Sequence, residues 1–97
     1  MSYVLAALIG LASWYSWHPG EAAAGPALRH GHWRGSTVAV CRPPVDPFHV
    51  RCVVVILSDF CGCLRGEPDE RAIDLDRRSF TELAPLSKGL VTVEVFR

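Results

Sequence analysis

Hydrophobic and polar positions along the chain fall into short runs punctuated by glycine and proline. In residues 90–96, Val91, Val93 and Val95 alternate with Thr92 and Glu94, the period-two pattern of a half-buried strand. Residues 53–57 are an unbroken apolar run, mostly β-branched, which suits a strand packed on both faces better than a helix. The polar Ser58 ends that run. Residues 37–41 predict a shorter strand, residues 10–15 a strand ending in aromatic side chains, and residues 72–75 a brief apolar return. One helix is expected: Asp76 fits its N-cap, Phe80 and Leu83 share its inward face three positions apart, and Pro85 disfavours continuation beyond residue 83. Residues 16–27, rich in Gly, Pro and Ala, and residues 42–49, with three prolines, read as loops. The charged stretch 64–71 reads as an exposed loop. The sum is a β-rich fold with one short helix in its C-terminal half.

Composition narrows the function classes. The chain has 97 residues, 49% apolar and 21% charged, which fits one domain with a single core. Ten basic and ten acidic residues leave no net charge, so electrostatics predict neither nucleic-acid nor anionic-membrane partners. The apolar stretch 4–12 is too short to span a bilayer as a helix. It reads either as the hydrophobic region of a secretory signal, without the usual Lys or Arg before it, or as a retained strand. The chain is accordingly divided into residues 1–9, an apolar leader or extra N-terminal strand, and residues 10–97, the domain.

Four cysteines in so small a chain favour an oxidising compartment. Cys41 and Cys52 end and begin two strand-like runs joined by the Pro-rich loop, which suits a cross-strand disulfide. A bond between Cys61 and Cys63, two positions apart, is expected to be strained. C-x-C is not usual zinc spacing, and the His30-x-His32 pair has no matched third ligand, so neither a metal nor another cofactor is expected.

The acid at the mouth of the central apolar run, Asp59, is the first candidate for chemistry. A carboxylate leaving an apolar strand can hold a raised pKa, and it can equally tie a loop to backbone N–H groups. Tyr15, Trp17 and Trp33 add aromatic surface in the first third of the chain, and aromatic faces stack on sugar rings. Asp76 reads as a helix cap and Glu21 as a minor acidic candidate.

Six segments together resemble a known family. They are ASWY at residues 12–15, AAGPALR at 23–29, WRGSTVAVC at 33–41, VVVILSDFCGC at 53–63, AIDLDRRSFTEL at 72–83 and GLVTVEV at 89–95. Their order and spacing are similar to the double-psi β-barrel domain of rare lipoprotein A, the expansins and the barwin-like proteins, in the short cysteine-containing form of actinobacteria and their phages. The resemblance implies a closed six-stranded barrel with a polysaccharide groove lined by Asp59, and peptidoglycan or another wall polysaccharide as partner. It implies lytic transglycosylase chemistry with Asp59 as acid and base, or glycan binding without cleavage, and an extracellular or cell-surface setting. Asp74 looks structural in this family, satisfying loop amides, and His30 is a loose match to the family's histidine. Two departures stand out. Pro26 follows Gly25 where active members carry Glu, and Ala22 stands where a cysteine often sits, which removes the usual bridge and leaves one of Cys61 and Cys63 without its partner. The alternative is a non-catalytic interaction module, a phage virion component or an inhibitor-like barwin relative.

Overall fold

The computed structural model describes residues 7–43 and 50–97. Six strands are formed: β1 (Ala7–Tyr15), β2 (Glu21–Ala24), β3 (Thr37–Arg42), β4 (Arg51–Phe60), β5 (Arg71–Asp76) and β6 (Val91–Phe96). They close into a barrel in the order β1-β5-β2-β4-β3-β6. One α-helix, α1 (Arg77–Leu83), and two 3-10 turns, Pro26–Leu28 and Leu86–Lys88, complete the described structure. The fold is an all-β double-psi barrel with a short helix in its C-terminal half.

Two pairings are parallel, β1 with β5 and β2 with β4, and the other four are antiparallel. β5 lies between β1 and β2, and β2 lies between β5 and β4, so the two halves of the chain interlock. Exchanging β1-β2-β3 for β4-β5-β6 maps the set of six pairings onto itself with every sense preserved, β2–β5 and β3–β6 mapping onto themselves. This twofold relation has no visible counterpart as a repeat in the sequence.

The core follows from strand parity. Val91, Val93 and Val95 of β6 point inward, as do Val38 and Val40 of β3 and Ile73 and Leu75 of β5, all close to fully buried. Phe80 and Leu83 of α1 close the same core. Asp76 caps the helix: its Oδ1 accepts from the Ser79 N–H at 2.9 Å and its Oδ2 from the Ser79 hydroxyl at 2.6 Å. Oδ2 also accepts from the Gly20 N–H at 3.1 Å, so one buried carboxylate fastens the β1–β2 loop to the helix start.

Three expectations need correcting. First, residues 16–27 are not all loop, because Glu21–Ala24 form β2. Three alanines carry no β-branched signal, but the strand between β4 and β5 must be narrow, and Ala22, Ala23 and Ala24 are buried to within 1%. Second, residues 53–57 are not packed on both faces. Val55 and Leu57 are buried, while Val54 and Ile56 are 66% and 45% exposed on the outside of the barrel wall. A closed barrel has one interior, so a continuous apolar run can bury only alternate members. β1 begins at Ala7, which pairs with Phe96 of β6. Residues 1–6 and the proline-rich segment 44–49 lie outside the described residues. Third, neither Cys61 nor Cys63 is left alone: they form a disulfide with each other, with Cα atoms 5.0 Å apart, inside the usual bridging range. Cys63 (φ 49°) and Leu64 (φ 55°) both adopt left-handed backbone at the turn that follows. The second disulfide joins Cys41 and Cys52, which are opposite each other across β3 and β4.

Candidate functional site

The site is built by an irregularity in β4. Ala22 of β2 pairs with Leu57, but the next residue, Ala23, pairs with Asp59, so Ser58 is an extra residue in the strand. Such a bulge turns the following side chains to a new direction. It sets Asp59 in register with Ala23 of β2, which is also opposite Asp74 of β5, which in turn is opposite Ser13 of β1. The row Ser13–Asp74–Ala23–Asp59 therefore crosses four strands on the outer face. Ala23 is 1% exposed yet not part of the interior cluster, because it forms the floor between the two carboxylates. Two strand spacings separate Asp59 from Asp74, roughly 10 Å between their backbones.

Hydrogen bonds tie this row to the end of β1. The Tyr15 hydroxyl donates to Asp59 Oδ2 at 3.3 Å, and the Phe60 N–H donates to Asp59 Oδ1 at 2.9 Å. The Ser13 hydroxyl donates to Asp74 Oδ1 at 3.1 Å. Asp74 is pushed above the ordinary carboxylate range, mainly by burial, with the Asp59 charge adding to it and the Ser13 hydrogen bond and the Arg71 charge opposing it. The Tyr15 phenol is raised as well, by burial first and then by Asp59, with smaller contributions from Asp74 and Glu21. Burial, reinforced by the negative charge of nearby carboxylates, thus holds the phenol in its protonated, hydrogen-bond-donating form.

Trp17 stands beside this cluster. Its ring lies nearly parallel to that of Tyr15 (centroids 5.5 Å apart, planes 12° apart), and its Nε1 donates to the Ser58 hydroxyl at 3.1 Å. Arg34 donates to the Ser58 carbonyl at 2.7 Å. The bulged residue is thereby anchored from both sides. Adjacent to the row is a cavity of about 320 Å³, lined by Ser13, Trp14, Arg71 and Asp74 and by Cys61, Cys63 and Leu64 of the β4–β5 loop.

Of the residues singled out in the sequence, Asp59, Tyr15 and Trp17 come together. Trp33 and His30 do not join them. Trp33 packs against the core with the Arg34 guanidinium 4.8 Å over its ring, and exposed His30 meets Arg97 at 3.1 and 3.2 Å. Asp74 is not satisfied by loop amides; its partner is a side-chain hydroxyl, and it faces the cavity. Asp74, Ser13 and Arg71 were missed as site residues. The local signal for Asp74 was present, since Ile73 and Leu75 flank it and fix its outward parity, but its alignment with Asp59 depends on the Ser58 bulge. Among the described residues, no group of three His, Cys, Asp or Glu side chains is placed to hold a metal ion. No helix among them is long and apolar enough to cross a membrane.

Comparison with known proteins places the fold and little more. No protein-family model matches the chain, and no curated protein matches it. Among solved structures it is similar to the Streptomyces papain inhibitor, with a TM-score of 0.59 and 21% sequence identity over 95% of this chain and 93% of that one. At that identity the likeness is one of fold, a small closed barrel shared over nearly the full length of both chains.

Proposed function

We propose that this barrel binds bacterial cell-wall glycan across the face that carries Asp59, Tyr15 and Trp17. The observation that carries this reading is the Tyr15–Asp59 hydrogen bond with Trp17 stacked alongside, next to a cavity that holds a second carboxylate, Asp74. Sugar hydroxyls need acceptors such as Asp59 and Asp74, and sugar ring faces need flat apolar surface such as Trp17. Peptidoglycan is the glycan that the resemblance to rare lipoprotein A points to. A carboxyl held above its usual range, as Asp74 is, also suits proton donation to a leaving oxygen. Two disulfides fit work outside the cytoplasm, at the cell surface or beyond.

The test is co-sedimentation with purified peptidoglycan followed by analysis of the soluble fraction. Wild type is expected in the pellet, and Asp59→Asn is expected to weaken binding about tenfold or more, the cost of losing one charge-assisted hydrogen bond. Release of anhydro-muropeptides by wild type and not by Asp59→Asn would assign Asp59 the acid–base role; retention without product would assign binding alone. Wild type remaining in the supernatant would sink the glycan reading.

A second reading, a protein-binding barrel, draws support from the likeness to the Streptomyces papain inhibitor. It predicts inhibition of a papain-like protease at stoichiometric amounts, with no dependence on Asp59.

A further inference from the structure

We propose that Cys61–Cys63 is an exchangeable disulfide, a thiol–disulfide exchange centre set in the wall of the cavity, whose ligand is a thiolate. This goes beyond the glycan reading and does not rest on it.

The bond is not what holds its loop. The Cys61 N–H donates to the Ala24 carbonyl at 3.1 Å, and the Cys61 carbonyl accepts from Arg29 Nη1 at 2.6 Å. The Cys63 carbonyl accepts from the Arg71 N–H at 2.8 Å. Both cysteines are therefore pinned through their backbones to β2, β5 and Arg29, so the bond can open without the loop leaving its place. As a staple it is also weak: it spans a sequence separation of 2, against 11 for Cys41–Cys52, and a shorter loop removes less freedom from the unfolded chain.

The surroundings suit the reduced form. Both residues are partly exposed, and a Cβ placed on the intervening Gly62 would meet nothing within 4 Å, so an incoming group has room. Two guanidinium groups are close by, Arg29 on the Cys61 carbonyl and Arg71 in the cavity wall, and neighbouring positive charge favours a thiolate over a thiol. A cavity of about 320 Å³ opens directly onto the pair. Cys41–Cys52 differs not in access, since Cys52 is exposed, but in being built into the β3–β4 ladder beside a buried Cys41.

The chemistry balances as a two-electron exchange. An incoming thiolate attacks one of the two sulfurs; a new S–S bond forms to it as the Cys61–Cys63 bond breaks, and the electron pair leaves on the other cysteine, which takes a proton from water. A second thiolate attacks the mixed disulfide and releases an external disulfide, so two external thiols are oxidised and the cysteine pair is reduced. An external disulfide drives the same steps in reverse.

The test uses the intact protein in glutathione buffers of graded reduced-to-oxidised ratio, quenched by alkylation and read by peptide mass. The Cys61–Cys63 pair is expected to open about tenfold faster than Cys41–Cys52 and to re-form in oxidised buffer, with the far-ultraviolet dichroism unchanged. Wild type is also expected to accelerate deglutathionylation of a mixed-disulfide peptide, and the double variant Cys61→Ser/Cys63→Ser, which keeps all the backbone bonds, to lose that acceleration while remaining folded. The proposal is overturned if the two pairs open together as the protein unfolds, if Cys61 and Cys63 never bond in oxidised buffer, or if the double variant accelerates the exchange as well as wild type does.

Discussion

Asp74 holds two roles that pull against each other. Its backbone is an interior rung of β5, between buried Ile73 and Leu75, while its carboxyl is half-buried at the edge of a cavity, with one hydroxyl for a partner. Burial raises its pKa in the folded state, so folding favours the protonated acid. The stabilising contribution is thus complete below the unfolded carboxyl value of about 3.9 and is lost as pH rises through the higher folded value. Asp74→Asn keeps an acceptor for Ser13 and removes the charge. It is expected to raise the urea midpoint at pH 7, with the gain vanishing below about pH 4. A variant that is destabilised equally at both pH values would show that the ionised carboxylate is supported by contacts other than these. A second single-residue feature is steric. Gly25 directs its N–H to the Ala72 carbonyl at 2.9 Å, and a Cβ there would sit 2.7 Å from that same oxygen and closer still to the Arg71 carbonyl. Gly25→Ala should cost about 3 kcal/mol, near the upper part of the range for overpacking, in chemical denaturation. Gly62→Ala, with open space around it, should change stability by less than about 0.5 kcal/mol.

At the scale of elements, β4 is where local pattern and closed topology meet. Its five consecutive apolar residues look alike, yet the barrel separates them by parity into wall exterior and interior. Leu57→Ala, which empties a fully buried site, should cost about 2–5 kcal/mol, and Val54→Thr, on the exposed face, should stay within about 0.5 kcal/mol. Equal losses at the two positions would mean that the outer face is also covered. β4 also shows what could be read from residues alone. Its existence, and those of β3, β5, β6 and α1, were legible because each carries a period or a cap within its own few residues: Val91, Val93 and Val95 for β6, Asp76 and Phe80 for α1. β2 was not legible, because Ala22–Ala24 form a strand only through the neighbours that flank them. The site was half legible for the same reason. Asp59, Tyr15 and Trp17 stand out by residue type, whereas Asp74 joins them only through the bulge at Ser58, a property of the β2–β4 register.

For the whole molecule, the interlocked halves explain how a chain of this size closes a barrel. Each of the six described strands has a neighbour on both sides, so none of them is an edge strand of an open sheet. The Cys41–Cys52 bond joins two strands already paired in register, and by chain-entropy reckoning for a loop of this length its removal should cost about 2–3 kcal/mol. The resemblance read from six segments and the likeness to the Streptomyces papain inhibitor agree on the barrel. Which surface is used is a matter for the site, and experiments on Asp59 and on the Cys61–Cys63 pair address separate chemistries there.

The last strand closes the barrel, and this has a kinetic consequence. β6 pairs with β1 on one side and β3 on the other, so the earliest described strand waits for residues 91–96 before its second edge is filled. Such pairing between distant parts of the chain makes for slow folding, on the order of milliseconds to seconds. During synthesis, a nascent chain with residues 91–96 still inside the ribosome cannot complete the fold, whatever its earlier strands have gained. A stalled chain with residues 85–97 held in the exit tunnel should therefore be digested by protease as readily as an unfolded one, and should become resistant only once residues 91–96 have emerged.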